Sequence, residues 1–232
     1  MKFERTDVWG FEHAIRGARN PMNSWDRSDS YFCEKEKDTY YLGEKDLDLA
    51  QRLIKGGSEH RKFMRQIMVS VDITAPLYWF KEFDTYKIGT TANSTSTMHK
   101  LASTEITIEC FETDDAQDLP DSEDEEFVRD FAATTIASLE YLRDRFNETK
   151  DMRYWKELVR WLPESWLQTR TVTLNYEILR NIYFQRKGHK LTEWRTSRGF
   201  PTGCHRCSGN NQDKSWTAVV RGYARTRNHI KN

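Results

Sequence analysis

No run of about 18 apolar residues occurs in this chain of 232, so no membrane-spanning helix is expected. The first ten residues, MKFERTDVWG, carry charge at once and have no apolar stretch, so no secretory signal is expected. An excess of charge of either sign is also missing, with 36 Lys and Arg against 36 Asp and Glu. That balance argues against a general nucleic-acid binder, which needs surplus positive charge to neutralise phosphates. A local basic stretch from Lys214, with Arg221, Arg225, Arg227 and Lys231, reads as a solvated terminal tail. Cysteine is scarce: Cys33, Cys110, Cys204 and Cys207 are too few and too scattered for a disulfide framework, and the cytoplasm is the expected compartment. Cys204-His205-Arg206-Cys207 has zinc-ligand spacing, but no second such pair follows, so no metal site is expected. Aromatics are the exception to this scarcity, at 13% of a polar chain. Most belong in a core, and some suit nucleotide sites or subunit contacts.

The apolar pattern orders the chain. Residues 1–44 read as polar and irregular, with a turn at Asn20-Pro21. Leu47, Leu49, Leu53 and Ile54 predict a helix over Glu44–Ile54, stopped by Gly56-Gly57. Ser58 then reads as the N-cap of a helix over Glu59–Ile67. Met68–Ile73 alternates as a strand, and Pro76 suits the first turn of a helix over Leu77–Tyr86. Gly89–Thr97 has hydroxyls, Gly and Asn but no apolar period, which predicts a loop exposing polar groups. Thr104–Phe111 alternates as a strand candidate. The acidic run 113–126 is either a loop or the lead-in to a helix over Phe127–Phe146. Helices over Tyr154–Leu162, stopped by Pro163, and Asn175–Arg186 complete the set. Residues 1–200 are expected to form one α+β domain, long helices on a mixed sheet, and 201–232 a loop-rich extension.

Two segments carry chemistry. APLYWFKEFDTYKIGTTANSTSTMHK spans Ala75–Lys100, and NYEILRNIYFQRKGHKLTEWR spans Asn175–Arg195. Together they resemble the flavin-dependent thymidylate synthases. That family's signature reads Arg-His-Arg-x-x-Ser-x-Asn-Glu-x-Ser-x-Arg, with a Gln three residues before it. Here Glu82 falls on the Gln, and Thr85, Tyr86 and Lys87 fall on Arg-His-Arg. Thr90 falls on the first Ser. With one residue inserted, Asn93, Ser94, Ser96 and Met98 meet the Asn, the Glu, the second Ser and the last Arg. The later block keeps its spacing better: Pro163, Asn175, Asn181 and Arg186 stand where the family has Pro, Asn, Asn and Arg, and Glu193-Trp194-Arg195 follows. His60 lies 25 residues before Thr85, where the family has a flavin-contacting His. The resemblance covers about residues 45–200.

The resemblance implies FAD as cofactor, with methylenetetrahydrofolate and NADPH as co-substrates. It implies transfer of a one-carbon unit to C5 of a pyrimidine deoxynucleotide, dUMP first, in a homotetramer with sites at subunit junctions. Arg186 would be the catalytic group, a planar donor to the pyrimidine. His60, Thr85, Tyr86, Lys87, Asn175 and Asn181 would hold the cofactor. Glu82, Ser94, Ser96, His99, Lys100 and Arg160 would hold the nucleotide, His99 and Lys100 standing in for the Arg that Met98 has replaced. A carboxylate at Glu82 also accepts from an amino group, which admits a dCMP substrate or hydroxymethyl transfer. The altered triplet Thr85-Tyr86-Lys87 admits a third reading, an inactive nucleotide-binding homo-oligomer.

Overall fold

The computed structural model describes residues 1–33, 36–113, 119, 122–186 and 188–194. The extension 201–232, with Cys204, Cys207 and the basic tail, lies outside the described residues. The class is α+β. Strands β1 (Lys2–Trp9), β4 (Met68–Pro76), β5 (Thr91–Ser94) and β6 (Leu167–Asn175) form one sheet in the order β1-β4-β6-β5. A hairpin of β2 (Tyr31–Cys33) and β3 (Glu36–Tyr41) stands apart from it. The chain makes two compact units.

The first unit comprises Met1–Lys2, Ile73–Thr85 and Ala92–Thr171. It holds helices α3 (Leu77–Phe83), α4 (Thr97–Lys100), α5 (Ser122–Thr149) and α6 (Met152–Arg160). Its core gathers Leu101, Ile106, Phe111, Leu139, Leu158 and Trp166. Pro76 ends β4 and stands at the N-cap of α3, as its fixed φ permits. Trp79, Phe80 and Phe83 on α3 are buried, with the Trp79 and Phe83 rings stacked at 5.2 Å. Asp151 caps α6 by accepting from the N–H of Arg153.

The second unit comprises Phe3–Asp72, Tyr86–Thr91 and the chain from Val172 on. It holds α1 (Phe11–Arg19), the hairpin, α2 (Glu44–Lys55) and α7 (Tyr176–Arg186). Phe11, Ile15, Leu47, Met64, Ile67, Val71, Leu174, Tyr176, Leu179 and Ile182 are buried in it. Phe11 meets Tyr176 edge-on, with ring centroids 5.7 Å apart. Asp46 is fully buried and accepts from five donors: Arg19 Nε at 2.5 Å, the hydroxyls of Ser28 and Ser30, and the N–H groups of Asp29 and Ser30. Burial pushes its carboxyl up, but those hydroxyls and the guanidinium outweigh it and hold the group below the usual carboxylate range.

Several expectations need correction. Residues 1–44 are not irregular, since β1, α1, β2 and β3 all lie there. Gly10, at φ 92, turns the chain into α1 where a Cβ would strike the Gln66 carbonyl. Glu59–Ile67 is not an α-helix but a 3-10 turn over Arg61–Gln66, and no side chain caps its start. Gly89–Thr97 is not all loop: Thr91–Ser94 is an edge strand with every residue exposed, so it shows no apolar alternation. Thr104–Phe111 is not a strand. Ile108–Cys110 is a 3-10 turn, Ile108 is exposed, and only Phe111 makes a single bridge to Trp166. β6 lies where no strand was expected, with Val172 and Leu174 buried. The acidic residues Glu123, Asp124 and Glu125 do lead into α5, in its first turn.

Candidate functional site

α7 positions the residues of highest interest in the second unit. Asn175 closes β6, and its Oδ1 accepts from the N–H of Ile178 at 3.1 Å. The side chain therefore caps α7, and the strand-to-helix junction sets its place. Asn181 lies half-buried along the same helix. Arg186 is its last residue, where the negative end of the helix favours a cation.

Segment 86–91 belongs to the same unit. Tyr86 meets one end of α7: Arg186 Nε donates to the Tyr86 hydroxyl at 2.9 Å, and that hydroxyl donates to Gln185 Oε1 at 2.9 Å. Gly89 meets the other end. At φ 75, an added Cβ would lie 2.9 Å from Ile178 Cδ1 and 3.4 Å from Asn175 Nδ2. The Arg186 guanidinium carbon lies 5.5 Å from the centre of the Tyr86 ring and 5.2 Å from that of Trp194. Tyr86 and Arg186 are thus brought together, as are the loop glycine and Asn175. Lys87 and His60 are exposed, and His60 precedes the 3-10 turn whose Arg61 Nε donates to buried Glu177 Oε1 at 2.8 Å.

The remaining candidates lie in the first unit. Thr85 is exposed, and its hydroxyl donates to the Glu82 carbonyl at 2.8 Å. Glu82 is half-buried on α3. Ser94 is exposed on β5. Ser96 is the N-cap of α4: its Oγ accepts from the His99 N–H at 3.1 Å and lies 2.7 Å from His99 Nδ1. Both its contacts are therefore local to the turn. His99 and Lys100 are exposed on α4. Arg160 ends α6, exposed and paired with Glu157, which also accepts from Trp161 Nε1 at 3.0 Å. A groove of about 360 Å³ on α5, lined by Ile108, Val128, Ala132 and Ile136 among others, contains none of these residues.

Sequence reading missed Gln185, the ring of Trp194 beside Arg186, Gly89 and the Arg61–Glu177 pair. Tyr86 and Arg186 are 100 residues apart in the chain, and no local pattern announces such a contact. Among the described residues no cluster of His, Cys, Asp and Glu suits a metal ion. None of the helices there is long and apolar enough to cross a membrane.

The order β1-β4-β6-β5, with a long α5 and an α7 that runs on from β6, defines a known α+β class. No family model and no curated protein matches the chain. Solved structures do. Flavin-dependent thymidylate synthase ThyX from Helicobacter pylori, complexed with FAD and dUMP, matches at TM-score 0.59 and 17% identity, over 84% of this chain and 89% of that one. The UMP/dUMP methylase PolB from Streptomyces cacaoi, bound with 5-Br UMP, matches at TM-score 0.51 and 13% identity, over 80% and 75%. With 5-Br dUMP bound, PolB matches at 0.52 and 16%, over 79% and 75%. The chain has the fold of these solved structures.

Proposed function

We propose that the chain is a flavin-dependent enzyme that transfers a one-carbon unit from methylenetetrahydrofolate to C5 of a pyrimidine deoxynucleotide, dUMP first. The observation that carries this reading is Arg186, fixed at the end of α7 by the Tyr86 hydroxyl in a fold shared with ThyX and PolB. A guanidinium is always charged and presents planar donors. Directed at a ring oxygen or nitrogen, it favours the charge that builds on the pyrimidine as C5 is alkylated. Orientation supplies the rest, because no thiolate nucleophile is required.

The second unit suits a flavin. Thr90 Oγ1 is buried there without a hydrogen-bond partner among the described residues, so a polar heterocycle has a group to meet. His60, Tyr86, Lys87, Asn175 and Asn181 would hold it. Reduced flavin, when bound, supplies the reducing equivalents, with NADPH as their source, and passes on the one-carbon unit. In the first unit, exposed Lys100 suits a nucleotide phosphate, beside Ser94, Ser96 and His99. Thr85 and Glu82 are the other contacts carried by this reading, and Arg160 would have to exchange Glu157 for phosphate. A homotetramer in the cytoplasm completes the proposal.

One observation favours a second reading. Thr85 and Tyr86 stand where the family has Arg and His, and the Tyr86 hydroxyl is already committed to Gln185 and Arg186. Loss of those charges suits a nucleotide-binding homo-oligomer without turnover. Tritium release from C5-labelled dUMP and dCMP, with reduced FAD and methylenetetrahydrofolate, separates the readings. Release from dUMP is expected, and both Arg186→Ala and Arg186→Lys are expected to abolish it while the fold persists, since a helix-end cation contributes only ~0.3–1 kcal/mol. Release from dCMP alone would reassign the substrate. Release from neither would leave the binding protein in place of the enzyme.

A further inference from the structure

A second group of charges on α7 is not used by the chemistry above. Arg61 Nε donates to Glu177 Oε1 at 2.8 Å, and Glu177 is buried. Arg180 follows Glu177 by three residues and so shares its helix face. The Arg180 guanidinium packs 4.6 Å over the Phe184 ring and is half-buried, yet it has no hydrogen bond or ion pair among the described residues. Its titration is lowered by burial first and by the Arg61 charge next, with Glu177 opposing both. The one carboxylate thus pairs with Arg61 and reaches Arg180 only through its field. That carboxylate also keeps one oxygen, Oε2, buried without a partner.

Holding a net positive charge partly away from water is costly unless something completes it. The cluster lacks one negative charge and one hydrogen-bond donor. A phosphorylated sugar or polyol brings both, an anion beside a hydroxyl. We propose that Arg180 and Arg61 bind the phosphate of a nucleotide ligand, with Glu177 holding Arg61 in place and taking a ligand hydroxyl. Resting on the proposed function, the source is the pyrophosphate of a flavin nucleotide or, in place of the Lys100 contact proposed above, the monophosphate of the pyrimidine nucleotide.

Calorimetry on the full chain tests this with five probes: inorganic pyrophosphate, FAD against riboflavin, and dUMP against deoxyuridine. Arg180→Met is expected to weaken pyrophosphate and one of the two nucleotides about 10-fold or more. Riboflavin and deoxyuridine, which lack phosphate, should be unaffected. A drop confined to FAD assigns the flavin phosphates, and one confined to dUMP assigns the substrate phosphate. If wild type binds FAD or dUMP and Arg180→Met binds it equally well, the anion site falls and the proposed function stands. If wild type binds pyrophosphate through Arg180 but neither nucleotide, the anion site stands and the proposed function falls. Wild-type protein that binds none of the three phosphates overturns the inference. Should Arg180→Met fail to fold, the wild-type affinity ratios of FAD to riboflavin and dUMP to deoxyuridine are measured at low and high salt. Ratios that both stay flat as salt rises would also overturn it.

Discussion

Tyr86 holds the cation that the proposed function directs at the pyrimidine. Its hydroxyl accepts from Arg186 and donates to Gln185, so both of its hydrogen-bonding roles are filled at the end of α7. The residue thus acts on Arg186 directly. Tyr86→Phe keeps the ring and removes only the oxygen. The bond from the Arg186 guanidinium is charge-assisted and worth about 1.5–3 kcal/mol at most at this half-buried site, so the melting temperature should fall by several degrees. Affinity for dUMP, read by calorimetry, should fall by about 3–10-fold through the loosened guanidinium. Unchanged affinity would remove Tyr86 from the site. Asp46 is a contrasting case, a buried charge with a purely structural role. Its folded carboxyl titrates below the unfolded value near 3.9, so its stabilisation is complete above that pH and is lost as pH falls through the lower folded value. Thermal melts between about pH 2 and pH 7 should show that acid loss in wild type and a flatter acid limb in Asp46→Asn. Asp46→Ala should cost roughly 3–5 kcal/mol, because it strands buried Arg19.

At the scale of elements, the strand-to-helix junction at Asn175 places the site, and it was only half legible in the sequence. The helix over Asn175–Arg186 could be read from Ile178, Leu179 and Ile182 and from the stop at Lys187-Gly188. The strand before it could not, because Gln168, Thr169 and Arg170 interrupt its apolar alternation and take their places from tertiary partners. Gln168 Nε2 donates to the Thr95 carbonyl, Thr169 bonds Thr74, and Arg170 pairs with Asp84. β5 was hidden because an exposed edge strand has no face to mark. α1 was hidden by brevity, with only Phe11, Ala14 and Ile15 on its apolar side. The spacing of Asn175, Asn181 and Arg186 could be read, but the partner of Arg186 could not, since contacts across 100 residues depend on the fold. Asn175 offers a test of element against site. Asn175→Asp keeps an acceptor at the helix start and improves the match to the helix dipole, so stability should hold within about 0.5 kcal/mol. It replaces the amide donor by an oxygen. If Asn175 serves flavin, FAD affinity should drop about 10-fold at unchanged melting temperature, since a charged acceptor replaces a neutral donor. Equal loss of both would mean that the residue is only a cap.

At the scale of the molecule, α5 is the element whose surface is least explained by the chain alone. Its inward residues Leu139 and Ile136 join the core of the first unit. Its other side keeps Phe127 at 70%, Phe131 at 65% and Tyr141 at 61% exposed. Trp161, just beyond α6, is exposed as well, and Trp155 is half-buried. Trp166, by contrast, is buried against Phe111 with ring centroids 5.5 Å apart. A helix that offers aromatics on the side away from its own core suits burial in an assembly, because isolated chains seldom leave such rings in water. The proposed homotetramer would use that face. Light scattering at micromolar concentration should return about four times the 27.6 kDa of one chain. Phe127→Glu with Phe131→Glu places two charges in the proposed contact, where unpaired charge is strongly disfavoured. The double variant should fall to a smaller species while keeping its helical circular dichroism, because neither ring belongs to the chain's own core. If sites form at subunit junctions, flavin binding should vanish with the assembly. A wild-type monomer would remove the tetramer and the junction sites together. A double variant that stays tetrameric would leave the assembly standing and place its contact on another face.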